Sequence, residues 1–220
     1  MKLKITSILL LFLIGFSSCK KDIKLPTINV QGIQDTIYNN SIIWIFYKKE
    51  GNKTIADLNR NNKIENTHWI FNIDKRLTLQ QILPHIQKMQ EKKAAPSPHD
   101  NGEITHLYYS YVDTGSSKLS MVLFDSIQYL RSTEKHINME NSAYKTVDVA
   151  YTPAGLSIND TDISLEELDK HLQSILDTVP LRLHLHLDKN ILYEQYIHLK
   201  AILAQVKKDS ITMDTVEIIE

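Results

Sequence analysis

Residues 181–206, LRLHLHLDKNILYEQYIHLKAILAQV, carry the pattern that decides the fold. Leu181, Leu183, Leu185 and Leu187 alternate with Arg182, His184 and His186. A period of two sets the leucines on one face of a β-strand and the polar side chains on the other. From Tyr193 the period becomes helical, with Tyr196, Leu199, Ile202, Leu203 and Val206 on one side. A strand, a short turn and a helix, each apolar on a single face, predict a layered α+β packing.

The flanks extend this unit. Val147–Tyr151 reads as a strand, Pro153-Ala154-Gly155 as a turn, and Leu156 and Ile158 as the start of a return strand. Ser164 followed by Glu167 forms a capping box, in which the serine oxygen accepts an orphan amide and the glutamate reaches back. The helix behind it aligns Leu165, Leu168, Leu172, Ile175 and Leu176, and Pro180 ends it. Thr215–Ile219 reads as a closing strand. The order β-β-α-β-α-β predicts a mixed sheet with both helices on one face, over residues 146–220.

Residues 41–130 read as a second α+β domain. Ile42–Tyr47, IIWIFY, is a strand, and polar residues 53–67 are expected to form a loop. His68–Asp74 alternates with Trp69, Phe71 and Ile73 on one side. Thr78–Met89 takes a helical period that Pro84 is expected to kink or break. Ile104–Val112 and Lys118–Phe124 flank a hairpin turn, and residues 131–145 are expected to be a linker. A shift of 114 residues lays HWIFNIDKRLTLQQI over RLHLHLDKNILYEQY, matching Asp74 with Asp188, Lys75 with Lys189 and Gln81 with Gln195. The overlay suggests a degenerate tandem copy; chance superposition of two strand–turn–helix units is the competing reading.

The start of the chain sets an address. Met1–Ser18 has Lys2 and Lys4, an apolar run from Ile5 to Phe16, then serines, the layout of a secretory signal. A membrane-spanning helix needs roughly 20 apolar residues, more than this run supplies. Phe16-Ser17-Ser18-Cys19 resembles the lipobox of bacterial lipoproteins, which implies signal peptide 1–18, lipid attachment at Cys19 and a tether over 19–40. An ordinary signal peptide cleaved near Ser18 is the alternative. Acyl chains would hold the body on a membrane surface, outside the cytoplasm, without spanning it. Removing Lys2 and Lys4 leaves 23 basic against 26 acidic residues, so no overall pull toward anionic lipid is expected.

Composition excludes several classes. Lys plus Arg number 25 against 26 Asp plus Glu, which leaves no electrostatic footprint for nucleic acid. One cysteine builds neither an internal disulfide nor a thiolate metal cage. The six glycines form no phosphate loop or nucleophile elbow, so no cofactor is expected. Two further possibilities, one enzymatic and one of ligand binding, remain to be weighed. His184 and His186 have a spacing that suits zinc, with Asp188 as the nearest third ligand; against this, they simply decorate a polar sheet face. A metal-dependent or hydrolytic envelope enzyme using the two histidines is therefore the alternative function. Trp44, Phe46, Tyr108, Tyr109 and Tyr111 are candidates to floor a sugar or peptide groove, against the plainer reading as core. Glu166, Glu167 and Asp169 suit a helix N-terminus.

Residues 146–220 resemble the periplasmic domain of the ExbD/TolR family of biopolymer transport. The resemblance rests on VDVAYTPAGLSIND with Gly155 and Asn159, on the ISLEELDKHLQSIL helix, and on Asp188 followed five residues later by Tyr193. It implies a non-enzymatic module that dimerises or binds a protein partner through residues 146–220, near a transport or energisation complex. The chain departs from the pattern in two places. Ile5–Phe16 contains no acidic residue to carry a proton in the membrane, and Lys207-Lys208-Asp209-Ser210 stands where the family has a glycine.

Overall fold

Among the described residues, alternation of apolar side chains builds two mixed sheets, and helical periods build three α-helices. A computed structural model describes residues 22–59, 64–96, 102–132, 143–206 and 210–220. Cys19, the expected signal peptide 1–18, residues 133–142 of the expected linker and residues 207–209 lie outside the described residues.

The first sheet contains β1 (Thr27–Ile28), β2 (Asn40–Glu50), β3 (Lys53–Leu58), β4 (His68–Ile73), β5 (Leu107–Asp113) and β6 (Lys118–Leu123). β2 pairs antiparallel with β3 and parallel with β4. β4 pairs parallel with the start of β5, β1 takes the end of that same edge, and β6 closes the other side. Residues 53–58, expected as loop, form a strand because the Gly51–Asn52 turn, with Gly51 at φ +59°, folds them back along β2. Between β4 and β5 runs α1 (Leu79–Ala94), which buries Leu79, Ile82, Leu83, Ile86 and Met89. Each such side chain contributes about 1.5–3 kcal/mol, so a charge at Ile86 would unseat the helix. Pro84 does not break it. The proline lies on the exposed side of the helix, as does Gln80, the residue one turn earlier whose carbonyl it cannot bond.

The second sheet contains β7 (Gln128–Arg131), β8 (Lys145–Thr152), β9 (Gly155–Ile158), β10 (Thr161–Ile163), β11 (Leu181–Leu187) and β12 (Ile211–Ile219), in the order β10-β9-β8-β11-β12-β7. A one-turn 3-10 segment, Leu165–Glu167, carries the Ser164–Glu167 capping box and leads into α2 (Leu168–Ile175). α3 (Tyr193–Val206) joins β11 to β12. The boundary read at residue 130 falls inside β7, which pairs parallel with β12 of the second sheet. α3 is buried on more than the expected stripe, since Tyr193, Ile197, Lys200 and Ala201 are enclosed as well, whereas Ile202 is only partly so.

Both sheets and all three helices contribute to one continuous apolar cluster. The 114-residue shift reappears in its hydrogen bonds. Asp74 N–H donates to the Ile45 carbonyl and Asp188 N–H to that of Tyr151, both at 3.0 Å. Each aspartate accepts from the amide two residues on, Arg76 or Asn190. Gln81 and Gln195 each accept from the amide three residues before, at 2.9 Å. Where the turns meet, Leu79 N–H donates to the Ile191 carbonyl and Tyr193 N–H to the Leu77 carbonyl, a reciprocal pair. Numbers 77 and 79 differ from 191 and 193 by the same 114, so this contact is pseudo-twofold.

α1 also covers sheet edges. Gln81 and His85 bond the Thr54 and Ala56 carbonyls of β3, while Gln87 and Gln90 donate to Tyr129 in β7 and Ile127 before it. Ile33 closes the β6 edge through paired bonds with Met121. Capped edges resist unwanted strand pairing. No described helix is long and apolar enough to cross a membrane.

Candidate functional site

A chain of buried polar groups crosses the junction of the two sheets. β5 brings Tyr109, β7 Tyr129, α3 Tyr196 and Lys200, and β12 Glu217. β12 slips by two residues, so Leu183 is opposite Met213 but Leu185 is opposite Glu217; the even slip keeps Glu217 on the core face and sets where along β11 it lies. Lys200 Nζ lies 2.5 Å from Glu217 Oε1, and Tyr196 donates to Oε2 at 2.9 Å. Tyr129 is 3.1 Å from Tyr196, and Tyr109 is 2.6 Å from Tyr129, hydroxyl to hydroxyl. Each phenol has one proton, so Tyr196 spends its own on the carboxylate, Tyr129 donates to Tyr196, and Tyr109 to Tyr129.

Burial pushes the Tyr109, Tyr129 and Tyr196 hydroxyls upward, reinforced by Glu217 at all three and by neighbouring phenols at Tyr109 and Tyr196, whereas the bonds from Tyr109 and Tyr196 pull Tyr129 the other way; all three stay donors. Tyr193 beside them is pushed up by the same burial, and its hydroxyl is the buried side-chain oxygen without a bond among the described residues. Lys200 and Glu217 are 2% and 0% exposed. With its ammonium committed to a carboxylate, Lys200 works as a polar pin between β12 and α3. Lys200 borders a cleft of about 570 Å³ lined by Ile33, Met121, Phe124, Ile127, Ala204 and Met213. Tyr109 and Phe124 stack at 3.7 Å behind that wall.

His184 and His186 do share a sheet face, but Asp188 does not join them. Its carboxylate turns to the Asn190 amide at 2.7 Å and side chain at 2.9 Å. The acidic neighbour is Asp148 on β8, 3.7 Å from a ring nitrogen of each histidine, with Asp214 3.6 Å from His184 and Glu220 3.3 Å from His186. Among the described residues no three His, Cys, Asp or Glu side chains take up a metal-binding geometry. The two rings are flanked by the carboxylates of Asp148, Asp214 and Glu220.

The aromatic residues divide by face. Tyr109 and Tyr111 are fully buried in the main core, and Tyr108 packs on the other face with Ile70, Met121 and Ile37. Trp44 and Phe46 stack there at 6.0 Å and remain partly exposed.

No family model, curated protein or solved structure matches this chain.

The remaining residues singled out in the sequence take structural places. Gly155 turns β8 into β9 at φ +151°, a backbone conformation rare for other residues. Asn159, at φ +46°, accepts the Asp148 amide and donates its own to the Asp148 carbonyl. Tyr193 opens α3 at the pseudo-twofold contact.

A second polar cluster has no sequence signature, because its members come from three separate segments. His68 and His106 stack at 5.4 Å, His106 Nδ1 contacts Asp125, and His68 Nδ1 accepts the His106 amide at 3.1 Å. Burial, then the adjacent His106, pulls the His68 pKa below its ordinary value. Nearby, Lys93 donates to the Glu65 and Thr67 carbonyls and lies over the Trp69 ring at 4.9 Å.

Proposed function

We propose that this chain is a non-enzymatic lipoprotein of the bacterial cell envelope, held by a lipid on Cys19. Its two halves are degenerate tandem copies of an ExbD/TolR-like module. The internal pairing takes the place of a homodimer, and the assembled body binds a protein partner of a transport or energisation complex. The observation that carries the reading is the 114-residue correspondence, with the same aspartate turn and glutamine cap in both halves and the reciprocal Leu79–Ile191 and Tyr193–Leu77 bonds between them. A homodimer of single modules would make such a contact between chains; here one chain makes both sides of it. Partner binding is assigned to residues 146–220, where β10 is the sheet edge without a side-chain or strand cover among the described residues.

The test has two parts. Light scattering of residues 20–220 should give the mass of one chain, and a dimer mass would remove the pseudo-dimer argument. Photo-cross-linking in cells from Asp162 on β10 should capture a defined envelope component; adducts absent from β10 and from other surface positions would defeat the partner reading.

A further inference from the structure

The segment expected to be a tether is part of the body. Lys24 donates its N–H to Asp74 at 3.1 Å and accepts from Lys75 at 2.8 Å. Pro26 and Ile28 accept from Val112 and Thr114, Tyr111 donates to the Val30 carbonyl, and Gln34 bonds Asp113 and Ser120. Only Lys20 and Lys21 separate Cys19 from Asp22, the first described residue. Three residue steps span at most about 11 Å. A lipid on Cys19 therefore fixes which end of the body meets the membrane.

That end is basic. Asp74 holds Arg76 in a two-pronged ion pair at 2.7 and 2.8 Å, and Asp22 is within electrostatic reach of the same guanidinium. Arg76 stacks 4.2 Å over Tyr47, at the base of a hairpin tip that continues beyond the end of β4. The register puts Ile45 beside Ile73, and β2 runs on to Glu50, about 16 Å further. The tip reads KKEGNK, with Lys48, Lys49 and Lys53 exposed, and Lys24 is exposed beside the chain's entry. Four described lysines, Lys24, Lys48, Lys49 and Lys53, stand against Asp22 and Glu50, with Lys48 paired to Glu50 at 2.7 Å. The rest of the mature chain is correspondingly acidic, so the average charge hides this pole.

We infer that the Lys24 and Lys48–Lys53 pole is a membrane-contact surface for anionic lipid headgroups, which holds the body in one orientation on the bilayer. The inference rests on the lipoprotein reading above. Basic side chains at a bilayer surface gain attraction from anionic headgroups within about a Debye length, and the short connection keeps this pole inside that distance. The acyl chains supply attachment, and the lysines supply the angle.

The test uses the lipidated full chain reconstituted in phosphatidylcholine vesicles with and without phosphatidylglycerol. With Cys19 acylated, a cysteine introduced by Asn52→Cys or Glu91→Cys is the one free thiol for a fluorophore. Residue 91 lies about 20 Å along α1 from the pole. A headgroup-attached quencher should quench the residue-52 probe several-fold more than the residue-91 probe when phosphatidylglycerol is present. Lys48→Glu, Lys49→Glu and Lys53→Glu together should abolish that difference while the circular dichroism melt stays unchanged. Equal quenching at both positions, or a difference that survives charge reversal, overturns the inference while the lipoprotein reading stands. An unmodified Cys19 by mass spectrometry overturns both.

Discussion

Lys200→Met tests the buried pin directly. The substitution keeps most of the apolar stem but leaves Glu217 with Tyr196 as its remaining bond and no ammonium at 2.5 Å. Removing one member of a buried ion pair typically costs about 3–5 kcal/mol, because a charge is left uncompensated away from water. Glu217→Leu should cost a similar amount, orphaning Lys200 and the Tyr196 hydroxyl together. The double variant removes both charges at once and retains only the cost of the phenol without an acceptor, about 1–3 kcal/mol. The cycle should thus show a coupling of several kcal/mol, far from additivity. Urea unfolding of residues 20–220, followed by fluorescence of the buried Trp69, measures each corner. At roughly 2–4 °C per kcal/mol, either single change should lower Tm by roughly 6–20 °C. Single variants within about 1 kcal/mol of wild type, or a double equal to their sum, would show that the pair does not join α3 to β12.

Three further outcomes follow from the same geometry. Burial alone would raise the Asp74 pKa, but the Arg76 pair and the Lys24 and Arg76 amides outweigh it and hold the carboxylate below its ordinary value. Its stabilisation is therefore complete above about pH 4, the unfolded value, and is lost as pH falls through the lower folded value. Asp74→Asn should cost roughly 1.5–3 kcal/mol at neutral pH and flatten the acid limb of a stability–pH curve, whereas Asp188→Asn, whose amide oxygen can still accept from Asn190, should change urea midpoints little. Gly32→Ala would drive a methyl into the Tyr111 hydroxyl and the Met121 carbonyl, so about 1–3 kcal/mol of destabilisation and faster proteolysis near residue 32 are expected; unchanged proteolysis would count against a docked N-terminal segment. Tyr196→Phe breaks the phenol chain in the middle and should cost about 1–3 kcal/mol in the same urea assay, with no loss attributable to packing.

Legibility in the sequence followed the range of the interactions. β11, α3, the Ser164–Glu167 cap and the β8–β9 turn were readable because each depends on neighbours within one or two turns of chain. β3 was missed because its polar residues become a strand only by pairing with β2. The polar character of His184 and His186 was readable from alternation, but their carboxylate partner was not: Asp148 reaches them through the parallel β8–β11 register, 36 residues away for His184. The buried chain was hidden most thoroughly. Glu217 alternates as though it belonged to an ordinary strand, and only the slip in β12 shows which residues of β11 and α3 it meets.

By itself, then, the sequence determined the local grammar: strands of period two, helices with their caps, and an offset of 114 that aligned two aspartate turns. Tertiary structure decided which strands share a sheet, that residues 22–40 are body and not tether, and that five polar side chains from four elements converge at Glu217. The division has a physical cause. Periodicity and capping are set by geometry within a few residues, whereas edge pairing, register slips and charge burial are set by surfaces that meet only once the chain has closed on itself.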